Sequence, residues 1–184
     1  MVESISRKDS AALWLAGAID GEGCFSAFIR EKIDGPYKLQ NLIVKMHLSN
    51  THPVFITRAT ECLMELGVSF HVSVRDYAKI PKQEHWKPCA DVSVSGQGRM
   101  RKLLPLIIPH LSCKKPQAEL LKELLAYREI LRQKFSGGNG AHRDGMGLES
   151  DELIAKAIVD LAKLKREHPT VLQFSRKPNQ VFGS

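Results

Sequence analysis

Hydrophobic residues recur along this chain with two different periods, and the switches between them lay out its elements. From Cys24 to Lys32 the chain alternates: Phe25, Ala27 and Ile29 fall on one side, Ser26, Phe28, Arg30 and Lys32 on the other. A period of two marks a strand buried on one face only. Asp34-Gly35-Pro36 supplies turn residues. Alternation returns from Gln40 to Ser49, with Leu42, Val44, Met46 and Leu48 inward and Ile43, Lys45, His47 and Ser49 outward. A second strand pair follows. Phe70, Val72 and Val74 are expected inward against His71, Ser73, Arg75 and Tyr77, then Val92 and Val94 inward against Asp91, Ser93 and Ser95.

Around the strands the period lengthens to that of a helix. The first helix, capped by Asp9 or Ser10, is expected to end near Asp20. Asn50 or Thr51 caps a second, Pro53 fits its first turn, and Phe55, Ala59, Cys62, Leu63 and Leu66 form its stripe before Gly67 ends it. Arg99 to Leu111 reads as helix bent or broken at Pro105 and Pro109. A long helix from about Pro116 to Phe135 follows, with a stripe of Leu120, Leu121, Leu124, Tyr127, Ile130 and Leu131. The Gly-rich run Ser136 to Gly147 is a flexible connection. Ser150 then caps a last helix reaching about Glu167, whose stripe of Leu153, Ile154, Ala157, Ile158, Leu161 and Leu164 docks on the body.

The order is therefore α-β-β-α-β-β-α-α, an α+β domain with one antiparallel sheet. One sheet face is apolar and helix-covered, the other polar and basic. Residues 1–135 form the core, 136–147 the connection and 148–168 the docking helix. Residues 169–184 form a basic tail, carrying Arg176 and Lys177, that is expected to lack fixed structure on its own.

Composition narrows the partner class. A chain of 184 residues is one domain, or one with a short appendage, and can bury a sizeable core. Its net charge of +7 and pI near 9.3 favour a polyanionic partner. Cys24, Cys62, Cys89 and Cys113 lie without close pairing, and no signal peptide precedes them, so reduced thiols in an intracellular protein are expected. Pro105 interrupts the longest apolar run, Leu103 to Ile108, which excludes a membrane span. His85-x3-Cys89 and His110-x2-Cys113 imitate zinc-ligand spacing. Those pairs fall on different elements, so buried cysteines and surface histidines are the preferred reading.

The stretch Leu13 to Gly23 carries the chemistry. Gly17 and Gly21 lie four apart on one helical face and let another backbone approach closely. Glu22 sits at the helix exit, where partial negative charge makes a carboxylate unfavourable without a cation. Two readings stand here: a metal site to which a second helix brings a second carboxylate, or an ordinary glycine C-cap with Glu22 solvated.

Leu15 through Gly23, LAGAIDGEG, resembles the motif of the LAGLIDADG homing endonucleases, with Ala18, Gly21 and Glu22 as its departures. The motif occurs once, so the resemblance is to the single-motif, homodimeric branch, over about Leu13 to Phe135. It implies that Leu13, Ala16, Gly17, Asp20 and Gly21 face the same helix of a second copy. It also implies that Glu22, with the Gly21 carbonyl, binds Mg²⁺ or Mn²⁺ where the helices meet. Lys114, in the run Ser112-Cys113-Lys114-Lys115-Pro116-Gln117-Ala118, takes the place of the family's active-site lysine. Asn50, at the exit of the second strand, takes that of a polar residue placing the nucleophilic water, with an amide one methylene shorter.

With the motif, the polar sheet face reads as a surface for the DNA major groove, which admits a two-stranded ribbon. A strand of eight or nine residues spans roughly 25–30 Å, on the order of 8–9 base pairs per subunit. Arg30, Lys45 and Arg75 are candidate guanine readers, His47 and Ser49 donors or acceptors, and Lys32 and Lys38 phosphate contacts. Ser26, Phe28, Ile43, His71, Ser73, Tyr77, Asp91, Ser93 and Ser95 complete the surface. The resemblance thus implies a homodimeric, metal-dependent endonuclease that cuts double-stranded DNA at a long pseudo-palindromic site, leaving short 3′ overhangs. No membrane or small-molecule substrate enters that reading. Its rivals on the same fold are an RNA-binding intron maturase and a catalytically silent DNA-binding regulator.

Overall fold

The computed structural model describes residues 6–34, 37–77, 85, 87–135 and 152–167, without the side chains of 31–34, 37–40, 132–135 and 167. The expected connection and basic tail lie outside these residues, as does the Gly35-Pro36 turn. The elements are α1 (Arg7–Glu22), β1 (Gly23–Asp34), β2 (Tyr37–Asn50), α2 (Pro53–Glu65), β3 (His71–Arg75), β4 (Cys89–Ser95), α3 (Gln97–Ile107), α4 (Lys115–Phe135) and α5 (Glu152–Glu167). This is the α+β order that the hydrophobic periods lay out. A 3₁₀ turn, Ile108–His110, joins α3 to the approach to α4.

The four strands form one antiparallel sheet in the order β1-β2-β4-β3. Register carries the alternation across strands, since residues paired in an antiparallel ladder share a face. Phe25, Met46 and Val94 pair in one buried row, and Leu48 and Val92 in the next. Helices α1 and α3 lie on β2 and helix α2 on β4, so the apolar face is closed by Leu15, Ile19, Leu63, Leu103 and Leu104. Helices α4 and α5 pack on each other and against β1.

Local chemistry sets the helix ends. Ser6, not Asp9 or Ser10, caps α1: its hydroxyl accepts the Asp9 N–H at 3.1 Å, and Asp9 occupies the first turn. Helix α1 runs two residues past Asp20 to Glu22 and passes straight into β1. Gly23 there is extended, with φ −83°, so the glycine C-cap with positive φ is not how the motif ends its helix. The cap of α2 is His52 rather than Asn50 or Thr51; Asn50 Oδ1 instead accepts the His52 N–H at 2.8 Å. Gly67, at φ +66°, does end α2: its N–H reaches Met64 O and that of Val68 reaches Leu63 O, a pairing that needs a left-handed residue.

Several apolar positions are less buried than their period predicts. Val72 and Val74 are 39% and 70% exposed. They share the helix-covered face with Val92 and Ala90, but β3 is an edge strand and the helices stop short of it. Ile130 on α4 and Leu153 on α5 are exposed, while Leu121, Leu124, Leu131, Ile154 and Leu161 are buried. All four cysteines are free. Among the described residues no helix is long and apolar enough to cross a membrane.

Candidate nucleic-acid face and metal-binding end

The exit of α1 is held by the loop before α4, through Ser112 and Lys114. The Asp20 carboxylate accepts the backbone N–H of Ser112 at 2.7 Å and that of Lys114 at 2.8 Å. The Lys114 ammonium donates to the carbonyls of Ile19 and Asp20, each at 2.7 Å. The last carbonyls of a helix lack intrahelical partners and carry partial negative charge, so a cation suits them. Lys114 is only 4% exposed, and burial pushes its pKa down while the Asp20 carboxylate opposes that. Gly21 and Glu22 follow directly, and both are exposed.

Register brings these groups to one end of the sheet. Gly23 pairs with Leu48, so Glu22 leaves α1 beside the last residues of β2, where Asn50 stands two positions further along. The donor set offered by one chain is an exposed carboxylate and a peptide carbonyl. Hard oxygen donors suit Mg²⁺, which is commonly held by one or two carboxylates together with substrate phosphates and water. The set fits such an ion as part of its coordination. Among the described residues, no group of three or more His, Cys, Asp and Glu is placed to hold a metal ion.

The polar sheet face is laid out in rows. Cys24, His47, Ser93 and His71 cross the four strands; Ser26, Lys45 and Ser95 form a second row; Ser49, Asp91 and Ser73 form a third. Further out, Phe28 pairs with Ile43 and Arg30 with Asn41, and the Arg30 guanidinium lies 6.0 Å from the Phe28 ring centroid. Lys32 pairs with Leu39 in the same register, whereas Lys38, expected as a phosphate contact on this face, pairs with Ile33 and so has the register of the apolar face, two residues before Gln40 and four before Leu42. The side chains of Lys32 and Lys38 lie outside the described ones. Tyr77 is half-buried just beyond the end of β3.

The structure adds partners that sequence does not provide. Arg75 grips Asp91 with two bonds, Nε to Oδ2 and Nη2 to Oδ1, both 2.7 Å, and the Ser49 hydroxyl also donates to Asp91 Oδ1. That guanidinium and hydroxyl hold the Asp91 carboxyl below the usual carboxylate range. Lys165, near the end of α5, reaches Ser26 Oγ at 3.3 Å and so joins the polar face. The period of α5 marks it as a docking helix but cannot say where its last turn lands. Cys24 belongs to the face as well, and the alternation that yields Ser26, Phe28 and Arg30 contains it. Among the described residues His47 Nδ1 is buried without a hydrogen-bond partner, and burial, followed by the Lys45 charge, lowers the His47 pKa.

On the face expected to meet a second copy, Leu13 is 52% exposed, and a Cβ added at Gly17 or Gly21 would meet nothing within 4 Å. Ala16 is fully buried in the chain's own core, and the Asp20 carboxylate is committed to Ser112 and Lys114. The outward part of that face is therefore Leu13, Gly17 and Gly21.

No protein-family model matches the chain, and no curated protein sequence does either. Solved structures do. The chain is similar to the homing endonuclease I-CvuI in complex with its target (Sro1.3) in the presence of 2 mM Ca, with a TM-score of 0.53 and 19% identity, covering 90% of this chain and 98% of that one. It is also similar to the group I intron-encoded homing endonuclease I-CeuI complexed with DNA, with a TM-score of 0.54 and 12% identity, covering 86% of this chain and 69% of that one. Identities this low speak to architecture. The element order, the antiparallel sheet and the helix that ends in LAGAIDGEG all agree with it: this chain has the fold of the LAGLIDADG homing endonucleases.

Proposed function

We propose that this chain is a site-specific double-strand DNA endonuclease that acts as a homodimer on a long pseudo-palindromic site. The observation that carries this reading is the position of Glu22: an exposed carboxylate at the exit of α1, at one end of a sheet whose polar face bears Lys45, Arg30 and Arg75. A DNA strand lying along that face would pass this end. The single motif per chain supports a dimer, because one chain offers one carboxylate and one carbonyl and a second copy would double that set.

Glu22 and the Gly21 carbonyl would hold Mg²⁺ or Mn²⁺, with the second set coming from the partner copy. Bound there, the ion would lower the pKa of water and neutralise charge on the attacking and leaving oxygens. Lys114 fixes the two carbonyls before Gly21 and so sets where the Glu22 carboxylate is presented. An ammonium has three donors, so one remains to stabilise charge developing on the phosphate. Asn50 orients the water at the β2 exit, its own Oδ1 anchored on the His52 N–H. This scheme needs no side-chain general base.

The test is cleavage of a duplex that the protein itself selects from a randomised library. Wild type is expected to cut both strands in Mg²⁺, and Glu22→Gln to bind the same duplex without cutting it. Wild-type cleavage by Glu22→Gln would remove Glu22 from the site. Tight duplex binding without cleavage in Mg²⁺ or Mn²⁺ would instead leave a DNA-binding regulator. Preference for structured RNA over duplex DNA would favour the maturase.

A further inference from the structure

Asp91 is out of place on a face built to meet phosphates. It lies in the middle of the polar surface, paired with Ser49 on one side and Ser73 on the other, and its charge would repel a DNA backbone. The bidentate pair stabilises the sheet, with the Arg75 side chain 53% and that of Asp91 15% exposed, but stability alone does not require a carboxylate at this place on the face. The geometry gives a different reason. Asp91 occupies one edge of the Arg75 guanidinium, the edge formed by Nε and Nη2. Its Oδ1 is in turn fixed by the Ser49 hydroxyl from β2. An arginine held this way has one remaining fork, between Nη1 and Nη2. That fork matches the O6 and N7 acceptors of a guanine in the major groove.

We propose that Asp91 is a specificity-determining positioning residue: it reads no base itself but holds Arg75, through the Ser49–Asp91–Arg75 chain, with its free fork turned toward one guanine. This rests on the DNA-binding reading above. Two consequences separate it from a simple surface ion pair. Arg75 is ordered before DNA arrives, so less side-chain entropy is lost on reading the base. Its charge is also balanced by Asp91, so it gains little from an arbitrary phosphate and discriminates between sequences instead.

Selection from a randomised duplex library, with divalent cations chelated, tests this on wild type, Arg75→Ala, Asp91→Ala, Asp91→Asn and the double alanine variant. Wild type is expected to prefer guanine at one base pair of each half-site. Arg75→Ala and Asp91→Ala should both lose that preference at the same base pair, by about five- to a hundredfold. The double variant should match Arg75→Ala alone. Asp91→Ala should also bind unrelated duplex more tightly, with a log K against log[salt] slope steeper by about one per subunit, because Arg75 is freed for a phosphate. A changed preference at a different base pair, or an unchanged profile in Asp91→Ala, overturns the proposal. If Asp91→Ala shows no cooperative thermal unfolding, Asp91→Asn carries the same comparison with the side-chain volume retained. A wild type that binds no duplex overturns the DNA-binding reading and this inference together, whereas selective wild-type binding with an unaltered Asp91→Asn profile overturns this inference only.

Discussion

Asp20 and Lys114 hold each other twice. The Asp20 carboxylate accepts the Lys114 backbone N–H at 2.8 Å, and the Lys114 ammonium donates to the Asp20 carbonyl oxygen at 2.7 Å. The two residues are 94 positions apart in sequence, and together they tie the end of α1 to the loop before α4. Seen along the chain, Lys114 stands just before a helix start, where a cation is electrostatically unhelpful. In space its charge lies at the C-terminal end of α1, where it is favourable.

Asp20→Ala leaves two backbone N–H groups without their acceptor and should cost about 1–3 kcal/mol of unfolding free energy, near the low end because Ser112 is exposed. A fall in the urea midpoint at constant m-value checks this. An unmoved midpoint would mean that the loop before α4 is held by other contacts.

Lys114→Met removes the ammonium from the Ile19 and Asp20 carbonyls, of which Ile19 keeps the Gly23 N–H. It should slow single-turnover cleavage with little change in duplex affinity, because a residue only 4% exposed adds little to the binding surface. An unaffected rate on a verified folded fraction would remove Lys114 from the active end.

Gly17→Leu separates fold from assembly. A Cβ there meets nothing within 4 Å in the free chain, and replacing a helix glycine should stabilise one subunit by up to about 1 kcal/mol. Association is where the cost should fall: sedimentation should show a shift to monomer and strand-specific nicking should show lost cleavage. A linked dimer with one Glu22→Gln half should likewise lose double-strand cleavage. A monomeric Gly17→Leu protein that still cuts both strands would contradict a shared site.

His47 sets a pH dependence. Its pKa lies below the ordinary 6.5, from burial first and then Lys45, with Lys165 and Arg75 adding to the drop and Asp91 opposing it. Between the lowered value and 6.5 the unfolded chain binds a proton that the folded chain does not, so stability should fall as pH drops below 6.5. Duplex binding should move the other way, tightening as His47 gains charge, and His47→Gln should flatten both profiles. Lys165→Ala should raise the His47 pKa in an NMR titration. An unchanged titration would place Lys165 away from the polar face in solution.

The sequence by itself determined which residues share a sheet face and where helices alternate with strands, because both are local periods fixed by backbone geometry. Phe25, Met46 and Val94 are legible as core, and Ser26, Lys45 and Ser95 as the opposite face, from alternation alone. The LAGAIDGEG stretch is legible as a helix exit carrying Glu22. Only the tertiary structure decided how much each face is covered and who meets whom across it. Val72 and Val74 keep the period of buried residues yet stand exposed, since coverage depends on where distant helices lie and β3 is at the edge. Asp91 reads as one more polar residue until β2 and β3 bring Ser49 and Arg75 to it. Lys114 is marked in sequence by the resemblance alone; that its ammonium meets the Ile19 and Asp20 carbonyls is decided by the loop before α4 folding back onto α1. Such contacts join residues tens of positions apart, and no local period encodes them.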